Sequence, residues 1–154
     1  MRRLWLVVIA VAGVASLGAQ APAPPKPSTP ASPPTERVGT MSDLMVHLIY
    51  PTSDAIFYIS SRTPTTDAEW TTLQAQTLTL AESANLLMMP GRTRRGQWNR
   101  DARQMLDAAA AAFKGAKAKD TAAIEAVSDQ LLESCTSCHK AYRPNYGKPR
   151  GARD

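Results

Sequence analysis

Both cysteines of the chain and one of its two histidines lie in the stretch ESCTSCHKAYRP, residues 133–144. Cys135 and Cys138 are three residues apart, and His139 follows directly. Thiols at that spacing can serve as a redox pair, as half of a zinc site, as a local disulfide or as the anchor of a covalent cofactor. A redox pair needs a depressed thiol pKa, which the positive N-terminal end of a helix supplies. Here a helical pattern precedes the motif, so the helix dipole acts in the opposite sense. A structural zinc site needs four ligands. The chain offers Cys135, Cys138, His139 and His47, but the side chains of adjacent Cys138 and His139 diverge by about 100° around a helix. A disulfide across one helical turn has poor geometry.

Cys-x-x-Cys-His is also the attachment signature of c-type haem. At i and i+3 the two thiols share one helix face and can form thioethers to the two vinyl groups of a haem. His139, four residues after Cys135, lies under the same edge and offers its imidazole to the iron. The cofactor expected on these residues is therefore one covalently bound haem c per chain, with Cys135 and Cys138 as anchors and His139 as the proximal axial ligand.

The rest of the chain must position that motif. Helical periodicity appears four times beyond residue 36, with no strong strand pattern and no internal repeat. The first segment, about 40–60, places Leu44, Met45, Leu48 and Ile49 on one face, then Ile56 and Ile59. Pro51 within it must free the carbonyl of His47, which predicts a kink or a break. The second opens on Thr66 and Glu69, a capping box, and steps through Trp70, Leu73, Thr77, Leu80, Ala84 and Leu87 to a stop at Pro90 and Gly91. The third runs from about Gln97 to Ala118, with Trp98, Ala102, Met105, Ala109 and Phe113 inward. Asp120 is an N-cap for the fourth, whose stripe is Ile124, Val127, Leu131, Cys135, Cys138 and Tyr142. The fold class expected is all-α, an up-down-up-down four-helix bundle with haem on the C-terminal helix. Its third helix is rich in alanine, which leaves inner volume that a cofactor can fill.

Upstream, MRRLWLVVIAVAGVASLGAQ has two arginines, an apolar run from Leu4 to Gly18 and a small-residue end. Residues 1–19 read as a signal peptide, its apolar run shorter than the ~20 residues of a spanning helix. Residues 20–35, with prolines at 22, 24, 25, 27, 30, 33 and 34, read as an extended, proline-rich linker. The four-helix, haem-carrying domain is assigned to residues 36–154. These readings place the mature protein in the bacterial periplasm; the alternative is a membrane-tethered form with an uncleaved leader. Loss of Arg2 and Arg3 with the leader takes 18 basic residues to 16, against 13 acidic. That modest charge lacks aromatic interleaving or a groove-reading motif, which argues against nucleic acid as a partner. No membrane contact is expected once the leader is gone.

A single Cys-x-x-Cys-His near the end of four helices, followed by KAYR, resembles the class II cytochromes c, the cytochrome c prime group. The resemblance covers about residues 38–146. It implies haem on the last helix and an arginine four residues after the proximal histidine, the place of Arg143. It also implies pairing into homodimers as a frequent property of the fold. The first helix departs from the pattern: it contains Pro51 and lacks the basic residue usual there.

In such a bundle the haem lies near Met41, Met45, His47, Leu87, Met88, Met89 and Trp98. Met45 is the candidate distal ligand. It shares the apolar face with Ile49, and methionine-ligated members of the family draw that ligand from the first helix; the other role open to Met45 is core packing. His47, two residues away and on roughly the opposite face, is the alternative ligand. Met88 and Trp98 are expected against the haem, and Arg143 near His139 or a propionate. Arg92, Arg94, Arg95, Arg100 and Arg103 gather at the same end, either as a solvated surface or as partners for propionates and an acidic redox protein. The function expected is one-electron transfer between redox partner proteins. The alternative is a five-coordinate haem protein that binds nitric oxide or carbon monoxide. No general base, nucleophile or oxyanion constellation accompanies the motif, so no enzymatic activity is expected.

Overall fold

The structure is a computed structural model, and it describes residues 36–147. The expected leader 1–19 and linker 20–35 lie outside the described residues. Among the described residues no helix is long and apolar enough to cross a membrane.

All the regular structure described is helical. A first helical segment is built from α1 (Met41–Asp43), a π-helical stretch (Leu44–Ile49) and α2 (Tyr50–Phe57). Then come α3 (Asp67–Leu87), α4 (Trp98–Ala118), α5 (Thr121–Glu125) and α6 (Ser128–Tyr142). The chain packs as a helical bundle: α3 lies along α4, α4 along α5 and α6, and the first segment against α3.

Local chemistry sets the boundaries. Thr66 and Glu69 satisfy each other's backbone N–H groups in the expected capping box, and Thr40 with Asp43 forms a second one at the start of α1. The Asp120 side chain accepts from the Ala123 N–H and starts α5. Lys119, at φ 55°, closes α4 in the left-handed conformation that ends many helices.

Two features differ from the sequence expectation. Pro51 does not break the first segment. The turn before it widens into a π-helix, in which the Tyr50 N–H reaches the Met45 carbonyl, and Pro51 then stands in the first turn of α2. Proline lacks an N–H and its ring crowds the carbonyl four residues back, and a wider turn relieves that crowding. The fourth helical pattern is also interrupted. At Ala126 and Val127 the backbone leaves regular helix geometry before α6 begins.

The core is made of the stripes that periodicity outlines. Ile56, Leu80, Ala84, Ala108, Ala109, Ala112, Ala116, Ile124 and Leu131 are fully buried. Phe113 is only half-buried, with the Lys117 ammonium over its ring. Gly115 lets α4 and α5 meet closely: a Cβ there would stand 2.9 Å from Ile124 Cγ1 and 3.3 Å from the Asp120 carbonyl oxygen.

Candidate functional site

At the other end of the bundle a cavity of about 800 Å³ opens between the first segment and α6. That volume lies within the range of cofactor and ligand sites. Met41, Met45, Ile49, Tyr50 and Phe57 line it from the first segment, and Trp98, Asp101, Ala102 and Met105 from α4. The remaining wall is Cys135, Cys138, His139, Tyr142, Arg143 and Tyr146, on α6 and just beyond it, with Leu87 from the end of α3.

The three motif residues therefore face one space. Cys135 and Cys138 are free thiols, each half-buried. Burial pushes the Cys135 thiol above its ordinary pKa. Burial, then the negative charge of Asp101 and of Cys135, pushes Cys138 up to about 11, with Arg94 opposing. Thiols held protonated in this way are poor redox nucleophiles. Burial, and then the positive charge of Arg143, holds His139 below the usual histidine range, so its imidazole is neutral at physiological pH and its nitrogen lone pair is available to a metal. Among the described residues no group of three or more His, Cys, Asp and Glu side chains is placed to hold a metal ion, which leaves the four-ligand zinc reading without a site.

Packing fixes the wall around the motif. Trp98 is 2 % exposed; its indole N–H donates to the Leu87 carbonyl at 2.8 Å, and Tyr142 meets its ring edge-on at 5.0 Å. The Tyr142 hydroxyl donates to the Arg95 carbonyl at 2.7 Å, which pins the end of α6 to the loop before α4. That approach needs Gly96, which has φ 84° and would place any Cβ 3.1 Å from the Tyr142 hydroxyl. The Arg94 guanidinium lies 5.4 Å from the centre of the Trp98 ring. Tyr146 meets the His139 ring at 5.3 Å, with Arg143 above the Tyr146 ring on its other contact.

Of the residues singled out from sequence, the structure brings Cys135, Cys138, His139, Arg143, Trp98 and Met45 to the cavity. It does not bring His47, which is exposed and points away from the lining, or Met88. Helix α3 ends at Leu87, which takes the wall position; Met88, at the C-cap with φ −90° and ψ 0°, packs half-buried against the core instead. Met89 is likewise absent from the lining.

Asp101 is the residue that sequence reasoning missed. It is 2 % exposed and lines the cavity. One carboxylate oxygen accepts from the Ser137 hydroxyl at 3.2 Å and makes a long contact with Arg100 at 3.4 Å; the other has no hydrogen-bond partner. Ser137 stands between the two cysteines and also accepts from the Gln97 amide at 3.0 Å, so a polar ladder from the start of α4 holds the motif helix in place. A signal was available: Asp101 is the one acid on the apolar stripe of Trp98, Ala102 and Met105.

These residues fit a haem. Two thiols and a neutral imidazole converge on a largely apolar cavity of cofactor size. Comparison with known proteins agrees: residues 93–143 match the model of the family described as cytochrome c′. The match spans the loop before α4 through the end of α6, the part that carries Trp98, Asp101 and the cysteine motif. No curated protein and no solved structure matches the chain.

Proposed function

Since this chain is of the class II cytochrome c type, we propose that it is an exported haem c protein that passes single electrons between partner proteins. The observation that carries this reading is the convergence of Cys135, Cys138 and His139 on one wall of the 800 Å³ cavity. When bound there, the haem supplies a one-electron ferric–ferrous couple; everything else is the work of this chain's own residues.

Cys135 and Cys138 would hold the group by thioethers from one face of α6, and His139 would offer its neutral nitrogen to the iron. Three methionines line the cavity, Met41, Met45 and Met105. Met45, half-buried on the segment facing α6, is the one read as the soft side chain that would ligate the iron opposite His139. Its position in the π-helical stretch gives it a different direction from the one a regular α-helix would give. Trp98 and Leu87 exclude water from one edge. Asp101 adds a buried negative charge, which favours the oxidised, more positive state of a neighbouring redox centre.

The arrangement is read as up-down-up-down, with haem on the last helix. Supporting contacts tie the helix ends in pairs. Trp98 at the start of α4 bonds Leu87 at the end of α3, Lys119 past the end of α4 pairs with Asp67 at the start of α3, and Ser60 past α2 bonds Glu125 in α5. Export rests on the leader-like residues 1–19, and an acidic redox partner on the arginines at the cavity end.

A second reading, binding of nitric oxide or carbon monoxide, is favoured by the apolar neighbours of Met45 in the lining, Ile49, Phe57, Leu87 and Met105. Acid–acetone extraction followed by a visible spectrum tests both. Haem that stays with the protein, with sharp low-spin bands on reduction, is the expected result. A broad high-spin spectrum would replace electron transfer with gas binding, and extractable or absent haem would overturn both.

A further inference from the structure

A second cleft, of about 490 Å³, lies where the first described residues meet the loop between α3 and α4. Two reciprocal bonds join these strands of chain: Arg37 donates to the Gly91 carbonyl at 2.9 Å, and Arg92 to the Gly39 carbonyl at 3.0 Å. Both acceptors are neutral, so neither bond compensates a guanidinium charge. Arg94 lines the same cleft, and no Asp or Glu does. None of the three arginines is in an ion pair among the described residues. The nearby Asp43 is already engaged, accepting from the backbone N–H and hydroxyl of Thr40.

Arg92 makes this more than a basic surface. It is 8 % exposed, and its Nε–H is buried with no hydrogen-bond partner. A buried cation with an idle donor is costly unless a counter-charge reaches it. The guanidinium fork suits planar carboxylates and phosphate groups, to which it donates two parallel bonds.

We propose that Arg37, Arg92 and Arg94 form an oxyanion site for a carboxylate or phosphate group. Two sources share that chemistry. Met41 and Arg94 line both the cleft and the large cavity, so a carboxylate arm of a bound haem can enter from within; this source rests on the haem reading above. Val38, 99 % exposed, lines the outer side, through which a free oxyanion can enter independently of that reading.

The test uses the full chain as purified, with inorganic phosphate titrated at low ionic strength and followed by calorimetry. The infrared carboxylate bands of the bound haem are recorded in parallel. Arg37→Gln, Arg92→Gln and Arg92→Lys are compared with Lys114→Gln, an exposed cation on α4 outside both the cleft and the cavity. Binding of one phosphate, weakened about tenfold or more by Arg37→Gln and retained in Lys114→Gln, establishes the site with a free oxyanion. No phosphate binding, with haem carboxylate bands that shift in Arg37→Gln and Arg92→Lys but not in Lys114→Gln, establishes it with the cofactor's own carboxylate. Because Arg37 is exposed, its variant reads the site even if Arg92→Gln fails to fold. Phosphate binding indifferent to Arg37, or no binding and no band shift, overturns the proposal. A haem-free protein that still binds phosphate through Arg37 would sink the haem reading and leave this one standing.

Discussion

The two ends of the bundle use the same helices to opposite effect. At the end where α2 approaches α5, the facing residues are small or branched: Ile56, Ile59, Ala112, Ala116 and Ile124, all at most 2 % exposed. Alanine and Gly115 let the backbones approach until the interior closes. At the other end α4 offers Ala102 and Met105, the first segment offers Met45 and Ile49, and α6 offers two thiols and an imidazole, and between them 800 Å³ stays unfilled by side chains. The difference lies in backbone separation rather than side-chain size: alanines and Gly115 let the closed end draw together, whereas even Met45, Phe57, Trp98 and Tyr146 do not fill the space between the first segment and α6.

Four changes break or sharpen that contrast. Replacing Cys135 and Cys138 together with alanine should have the largest effect: covalent haem is lost on extraction, and the melting temperature falls further than for any other variant here, because the open end loses its filling. Full haem content and an unchanged melting curve would contradict the whole reading. At the closed end, Gly115→Val should cost roughly 1–3 kcal/mol by overpacking against Ile124 and the Asp120 carbonyl. Chemical denaturation measures that loss, while the visible spectrum of the folded protein should not change.

Met45→Leu is the converse. It keeps volume and apolarity, so its stability cost should stay below about 1.5 kcal/mol. Yet it should remove any methionine charge-transfer band from the ferric spectrum, lower the potential and let the reduced protein take up carbon monoxide. His47→Leu should do none of this, since His47 lies off the cavity; a high-spin His47 variant beside a low-spin Met45 variant would reverse the assignment.

The smallest effect belongs to Glu69, in the first turn of α3 on the surface of the closed end. Hydrogen bonds from the Thr65 backbone and hydroxyl, then from Thr66, lower its pKa from 4.5 to about 2. A folded-state pKa below the unfolded one means a contribution that is complete above pH 4.5 and is lost as pH falls toward about 2. Melting curves across that window should fall less steeply for Glu69→Gln than for the unmodified chain. Because Glu69 is fully exposed, the change should be slight; an identical pH slope would remove the cap from the account of acid stability.

Features that depend on neighbours in sequence were legible. The Thr66–Glu69 box, the Asp120 cap and the inward stripe from Trp70 to Leu87 follow from three- and four-residue spacing, and the structure reproduces each. The π-helical turn before Pro51 was not legible, because proline can be relieved by a kink, a break or a wider turn, and only the packing of the first segment on α3 selects among them. Met88 and Leu87 differ by one residue, and where the helix stops decides which faces the cavity. Asp101 announced itself as a charge on an apolar stripe, but its partner Ser137 is 36 residues away.

By itself, then, the sequence determined that two thiols and an imidazole share one face of one helix, since that rests on residue spacing and backbone geometry alone. It also determined that four amphipathic segments must bury their apolar stripes against one another. Only the tertiary structure decided that the first segment stands away from α6, that Met45 rather than His47 turns toward the gap, and that Arg37 bonds Gly91 and Arg92 bonds Gly39, each across more than 50 residues of chain. Those outcomes depend on how side chains from distant segments fill or fail to fill shared space, and no local spacing rule contains that information.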